Sequence, residues 1–192
     1  EDASYLRGKY VRVTSTDRDR IVLIKRLLGS GHKVVVLKPE QGKLRYLLRI
    51  GSHALYDSLL SRGITPNKSL TMNFPDVPVS YLSYFVLGYF DGDGCAYLER
   101  TIGKNRRLIL RRLAVIFTSG SKIFLEKLEE RLRNKVSVSE KKIYKARRSF
   151  QLRYNTNDSL KLYLFMYTRD SNLICMKRKR AIFKKYLRLR SG

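Results

Sequence analysis

The chain has 192 residues, 43% of them hydrophobic, which is enough for a real core and too apolar for a disordered tail. Its formal net charge of +25, from 41 Lys and Arg against 16 Asp and Glu, opposes compaction by self-repulsion and points to a polyanionic partner. No apolar run approaches the ~20 residues of a membrane span, and two cysteines are too few for a disulfide scaffold or a four-cysteine zinc site.

Along the chain, residues 10–16 alternate apolar and polar side chains, as a half-buried strand does. Asp17 then opens a helical pattern with Ile21, Ile24, Leu27 and Leu28 on one face, ending near Gly29 and Gly31. Residues 33–37 and 44–50 read as two strands joined by a turn from Pro39 to Gly42. Ser52 is placed to cap a second helix that carries Leu55, Leu59 and Leu60 and stops at Gly63. After a Pro-containing linker over residues 65–79 comes an apolar helix over 80–91. Residues 113–118 then read as a strand and 119–132 as an amphipathic helix. Two more strands over 136–144 and 149–154 follow, then a helix from Thr156 through Leu160, Leu164 and Met166. A last helix over 176–189 is basic on most faces and apolar at Ile182, Phe183 and Leu187.

The order repeats. Residues 13–23 lie against 115–125, and 47–49 against 151–153, a duplication at roughly ninety to a hundred residues. This predicts an α+β protein of two αββαββα-like halves: a first repeat over 1–64, a linker over 65–79, and a second repeat over 80–192. The first half lacks the helix that opens the second, so Glu1 and Asp2 stand where Gly92 and Asp93 stand later; a longer parent chain is expected. Charge is uneven along the chain: residues 101–192 hold 26 basic and 6 acidic residues, against 15 and 10 in residues 1–100, so the basic excess is concentrated in the later part. Cys95 and Cys175 are expected to be reduced, partly buried thiols of an intracellular protein.

The helix before Asp93 carries the chemistry. Gly88 and Gly92 are four residues apart and share a face, which suits close approach of a second helix and otherwise only costs helix stability. Asp93 falls at the helix C-terminus, where the dipole repels an anion and a hard divalent cation would relieve the conflict. An EF-hand loop starting at Asp91 is excluded, because its twelfth position is Ile102 rather than Glu. In the strands, Arg45, Leu47 and Arg49 share one face, as do Arg147, Ser149, Gln151 and Arg153; Arg and Gln facing outward suit guanine and adenine edges. Arg12 and Thr14 can read bases in the same way. Arg7, Lys9, Lys43, Lys104, Arg106, Arg107 and Arg112 complete the expected DNA-binding set, with the loop residues on phosphates.

Residues 87–94, Leu-Gly-Tyr-Phe-Asp-Gly-Asp-Gly, resemble the motif of the LAGLIDADG homing endonucleases, with Asp93 at the catalytic acidic position and Asp2 matching it in the first half. The resemblance extends to residues 64–69 with Phe74 and Pro75, to 117–122, and to 177–180, and is to the single-chain, two-repeat, intron-encoded type. It implies antiparallel saddle-shaped DNA-binding sheets and a monomer that cuts each strand of a long asymmetric double-stranded DNA target. It implies two or three Mg²⁺ ions held by Asp2 and Asp93 with the Glu1 and Gly92 carbonyls, Mn²⁺ substituting and Ca²⁺ binding without supporting cleavage. It further implies a lysine beside each site: Lys68 in the first half, Lys177 or Lys179 in the second. Two alternatives use the same basic sheets: a maturase that binds its host intron RNA, and a non-cleaving DNA-binding protein. Two acidic residues at the motif positions favour cleavage.

Overall fold

The structure, a computed structural model, describes residues 9–38, 42–64, 72–102, 108–168 and 174–190, with the backbone alone at 108–111. The chain divides into two compact units, Glu1–Ile64 and Thr65–Gly192.

In the first unit, strand β1 (Tyr10–Ser15) leads to helix α1 (Arg18–Leu27), then β2 (Val34–Leu37), β3 (Arg45–Gly51) and α2 (His53–Ser61). Both helices start where a side chain can accept their orphan amides: Asp17 accepts from Asp19 and Arg20, and Ser52 from Leu55 at 3.2 Å. Gly29 and Gly63, at φ 58° and 78°, end them in the left-handed conformation that costs other residues more. The antiparallel sheet has the order β1-β3-β2. Alternation sorts its side chains: Leu48 and Ile50 join Ile21 of α1 in a small core, while Arg12, Arg45 and Arg49 lie exposed on the other face.

The second unit enters through a 3-10 turn (Val79–Tyr81) into α3 (Leu82–Asp93), followed by β4 (Gly94–Ile102), β5 (Leu108–Ser119), α4 (Lys122–Val136), β6 (Ile143–Lys145), β7 (Phe150–Tyr154), α5 (Thr156–Met166) and α6 (Lys177–Arg190). Its antiparallel sheet runs β4-β5-β7-β6. Leu113, Val115, Phe117, Leu152 and Tyr154 point to one face and are buried against Val86, Leu87, Phe90, Leu125, Leu128, Leu162 and Phe183 of the helices. At about 1.5–3 kcal/mol for each large side chain removed from water, this apolar layer is the main source of the unit's stability. Before the 3-10 turn, Phe74 lies 5.1 Å from Phe85 and 5.4 Å from Phe124, ring centre to ring centre, and Val77 is buried, so residues 74–77 belong to the same core.

The duplication is visible as matching order: β1-α1-β2-β3-α2 in one unit and β5-α4-β6-β7-α5 in the other, with sheet orders β1-β3-β2 and β5-β7-β6. Strand β4 is an addition to the sequence reading. It pairs with β5 along its whole length, so a counterpart in the first half would fall before Tyr10, outside the described residues.

The structure departs from the sequence pattern at three places. Residues 136–142 are not a strand: α4 continues to Val136, because Leu125, Leu128, Leu132 and Val136 form one helical stripe, and Ser137 at φ 55° ends it. Arg147 and Ser149 do not extend the reading face of β7. They belong to the tight turn between β6 and β7, closed by the Ala146 amide donating to the Ser149 carbonyl at 2.8 Å. Cys95 is exposed rather than partly buried, because its strand position points away from the core; Cys175 is half-buried.

The segment between α4 and β6 is held by two buried carboxylates. Asp158 accepts from the Ser139 amide at 3.0 Å and pairs with Lys141 at 3.1 Å, and Glu129 accepts from the Lys141 amide at 3.4 Å. Asp158→Ala strands the Ser139 amide and the Lys141 ammonium and is expected to cost about 3 kcal/mol of unfolding free energy, measured by chemical denaturation.

Candidate functional site

Helix α3 ends in two acids two residues apart. At 100° per residue they diverge by about 200°, so they face opposite ways. Asp91 turns inward and is 1% exposed, its Oδ2 accepting from the Met176 amide at 2.8 Å; Asp93 turns outward to solvent. Asp91 is not among the residues singled out by the motif; its spacing of two from Asp93 on an apolar helix is the sequence signal that the two acids face opposite ways.

The last carbonyls of a helix lack amide partners unless the cap supplies one, and here the Gly94 amide closes onto the Phe90 carbonyl. Lys179, on α6, adds its donors at this junction: its Nζ donates to the carbonyls of Phe90 at 2.6 Å, Asp91 at 3.0 Å and Gly94, the first residue of β4, at 2.5 Å. An ammonium has three N–H donors, and here each meets a carbonyl. The positive charge also offsets the negative end of the helix dipole. Burial, against the opposing pull of the Asp91 carboxylate, lowers the pKa of Lys179 below the usual lysine value. The same junction requires glycine at position 94: a Cβ there would lie 2.5 Å from Phe90 Cδ2 and 2.7 Å from the Phe90 carbonyl oxygen. Phe90 itself is fixed between Phe117 and Phe183, with ring centres 5.9 and 6.0 Å away. Gly88 and Gly92 are exposed, and a Cβ on either would meet nothing within 4 Å, so nothing inside this unit requires glycine at those two positions.

Lys177 is exposed at the first position of α6, two residues from the buried Lys179. Of the two lysines expected near Asp93, Lys179 is therefore the one bound to the end of its helix, with its donors committed to backbone, and Lys177 is the one open to solvent. Lys68, Asp2 and Glu1 lie outside the described residues, as do Arg7, Lys104, Arg106 and Arg107.

Among the described residues no group of three or more His, Cys, Asp or Glu comes together to hold a metal ion. At the end of α3 one carboxylate, Asp93, faces solvent beside the exposed Gly92. A carboxylate with a backbone carbonyl beside it can contribute oxygen ligands to a hard cation.

Tyr89 braces this end of α3 against the sheet, its hydroxyl donating to the Thr118 carbonyl at 2.6 Å. Burial, opposed by a contact with Ser119 and reinforced by the charge of Asp93, pushes its pKa up to about 12. The unfolded phenol ionises near 10.0, so the unit keeps this contribution below pH 10 and loses it as pH rises towards 12. Tyr89→Phe is expected to flatten that part of the stability-against-pH curve.

Each sheet turns a basic, polar face away from its core. On the first, Arg12 and Arg49 are cross-strand partners, Thr14 pairs with Leu47, and the Arg49 guanidinium stacks 3.6 Å over the Tyr10 ring. Arg45 and Lys43 are exposed nearby in sequence, while Lys9 pairs with Asp57 at 3.1 Å. On the second, Arg112 pairs with Glu99 across β4 and β5, and Gln151 and Arg153 project from β7. A groove of about 470 Å³ opens there, lined by Tyr97, Arg112, Lys141, Tyr144, Lys145 and Arg153 among others. No described helix is long and apolar enough to cross a membrane.

No protein-family model and no curated protein sequence matches this chain. Solved structures do. The homing endonuclease I-WcaI bound to its DNA recognition sequence superposes with a TM-score of 0.62 at 12% identity, over 94% of this chain and 77% of that one. The I-LtrWI LAGLIDADG homing endonuclease bound to target DNA gives 0.60 at 12% identity, over 94% and 78%. The N-terminal LAGLIDADG domain of DUF199/WhiA gives 0.50 at 11% identity, over 94% and 77%. The fold is that of the LAGLIDADG homing endonucleases, as the motif at residues 87–94 implied.

Lys179→Met keeps the length of the side chain and removes all three donors. It is expected to cost about 2–4 kcal/mol in chemical denaturation, whereas Lys177→Ala leaves stability within about 0.5 kcal/mol.

Proposed function

We propose that this protein is a site-specific double-strand DNA endonuclease that hydrolyses phosphodiesters with Mg²⁺. The observation that carries the reading is the solvent-facing Asp93 carboxylate at the end of a rigidly anchored motif helix, on a fold shared with DNA-bound homing endonucleases.

Asp93 and the Gly92 carbonyl are the proposed metal ligands of the second half; Asp2 and the Glu1 carbonyl are those of the first. A bound Mg²⁺ supplies a water of lowered pKa and a Lewis acid for the phosphate. The chain supplies position. Lys179 and Asp91 hold the helix end, so Asp93 presents its carboxylate without rearrangement. Lys177, exposed beside this junction, is the residue proposed to meet the phosphate charge, with Lys68 in that role in the first half. The outward Arg and Lys of both sheets and loops grip the duplex backbone, and Arg12, Thr14, Arg45, Arg49, Arg112, Gln151 and Arg153 are the proposed base readers. A net charge of +25 makes that binding steeply salt-dependent.

Linearisation of a plasmid carrying the uninterrupted host locus tests the reading. Wild type with Mg²⁺ is expected to make one double-strand cut. Asp93→Asn should bind the same DNA with little change, yet cut slower by more than the roughly 10–100-fold that loss of a metal ligand's outer partner costs. Equal cutting by both proteins would remove Asp93 from the metal site. Tight binding by wild type with no cut in Mg²⁺ or Mn²⁺ would leave a non-cleaving DNA-binding protein, and preferential binding of intron RNA a maturase.

A further inference from the structure

Gln151 and Arg153 sit two residues apart on β7, so both project from the face opposite the core. Their side chains are joined: Arg153 Nε and Nη2 donate to Gln151 Oε1 at 3.0 and 2.5 Å. Arginine has donors only, so the amide atom facing it must be the oxygen, and the orientation of the glutamine amide follows from chemistry alone. The chelate consumes the one acceptor of Gln151 and leaves donors: the Gln151 Nε2 amino group and the Arg153 Nη1 edge.

Adenine and guanine ask for different things in the major groove. Adenine offers an N7 acceptor and an N6 donor, so a glutamine reads it by donating and accepting together; guanine offers two acceptors, N7 and O6. A glutamine whose oxygen is held by its neighbour has lost the half of its chemistry that recognises adenine. We infer that Gln151 and Arg153 act as one unit that presents only donors and selects guanine at both positions beneath them, with no adenine reading by Gln151. The setting keeps the unit in place: Gln151 stands between Thr118 and Tyr144 on the neighbouring strands, and Arg153 beside Ile116. The Arg112–Glu99 pair on the same face is a second arginine held by an acceptor before any ligand arrives.

This inference rests on the DNA-binding reading above, and one experiment separates the two. Duplexes randomised across the site are bound to the full chain, the retained pool is sequenced, and preferences are confirmed by competition with defined duplexes. Wild type is expected to retain guanine over adenine by about tenfold at two positions on one strand. Arg153→Ala releases Gln151 Oε1, and should convert one of those positions from guanine to adenine while erasing preference at the other. Gln151→Ala should keep guanine beneath Arg153 and lose only its own position. Both side chains project from the outer face and not into the core, so these variants keep the fold. Adenine at the Gln151 position in the wild-type pool overturns the inference, as does an Arg153→Ala pool that still holds guanine there. A pool that retains no duplex overturns the DNA-binding reading itself.

Discussion

Three backbone carbonyls at the end of α3 converge on one buried ammonium, and much of the second unit is arranged around that contact. A helix that ends inside a protein must find donors for its last carbonyls, since each one left unpaired costs on the order of 1–3 kcal/mol. Here the Gly94 amide serves Phe90, and Lys179, more than eighty residues further along, donates to Phe90, Asp91 and Gly94, so α6 completes the passage from α3 into β4. Asp91 makes the same link in the opposite sense, accepting from the Met176 amide just before α6 begins. The pair neutralises itself across the junction, which is how two charged groups come to be buried in an apolar core.

The consequence for chemistry is a division between neighbours of like type. Asp91 and Lys179 are consumed by structure; Asp93 and Lys177, two residues away from each, face solvent. On a helix, two residues is slightly more than half a turn, so a polar residue repeated at that spacing places one copy in the core and one outside. Gly94 then has no room for a side chain, and the chain passes from helix to strand without a loop. The backbone that carries the outward Asp93 carboxylate is thereby held in place, which suits the ligand role proposed for it.

The sheets follow the same economy of faces. One side is apolar and covered by helices; the other is basic and carries side chains that brace one another, Arg49 on Tyr10, Arg112 on Glu99, Arg153 on Gln151. Bracing lowers the entropy a flexible side chain loses on meeting any ligand, and it also changes what the side chain can offer, as the occupied oxygen of Gln151 shows.

Much of this was legible in local pattern. The alternation of residues 10–15, the caps at Asp17 and Ser52, the start of α5 at Thr156 and the acid of the motif all depend on residues within one or two turns of each other, and sequence spacing reports them directly; of the apolar stripe of α1, Ile21 is buried while Leu27 and Leu28 are exposed. What spacing could not decide depended on segments far apart. Valine and alternating polarity in 136–142 suited a strand, but the stripe continuing from Leu132 to Val136 and the grip of Asp158 and Glu129 made it the end of a helix and a pinned loop. Lys177 and Lys179 are equivalent as letters; only the place where α6 crosses the end of α3 turns one inward. Residue type and period are local properties, so the candidates for chemistry can be read from the order of the letters alone. Burial and hydrogen bonding are settled between distant segments, so which candidates face solvent emerges only once the chain is folded.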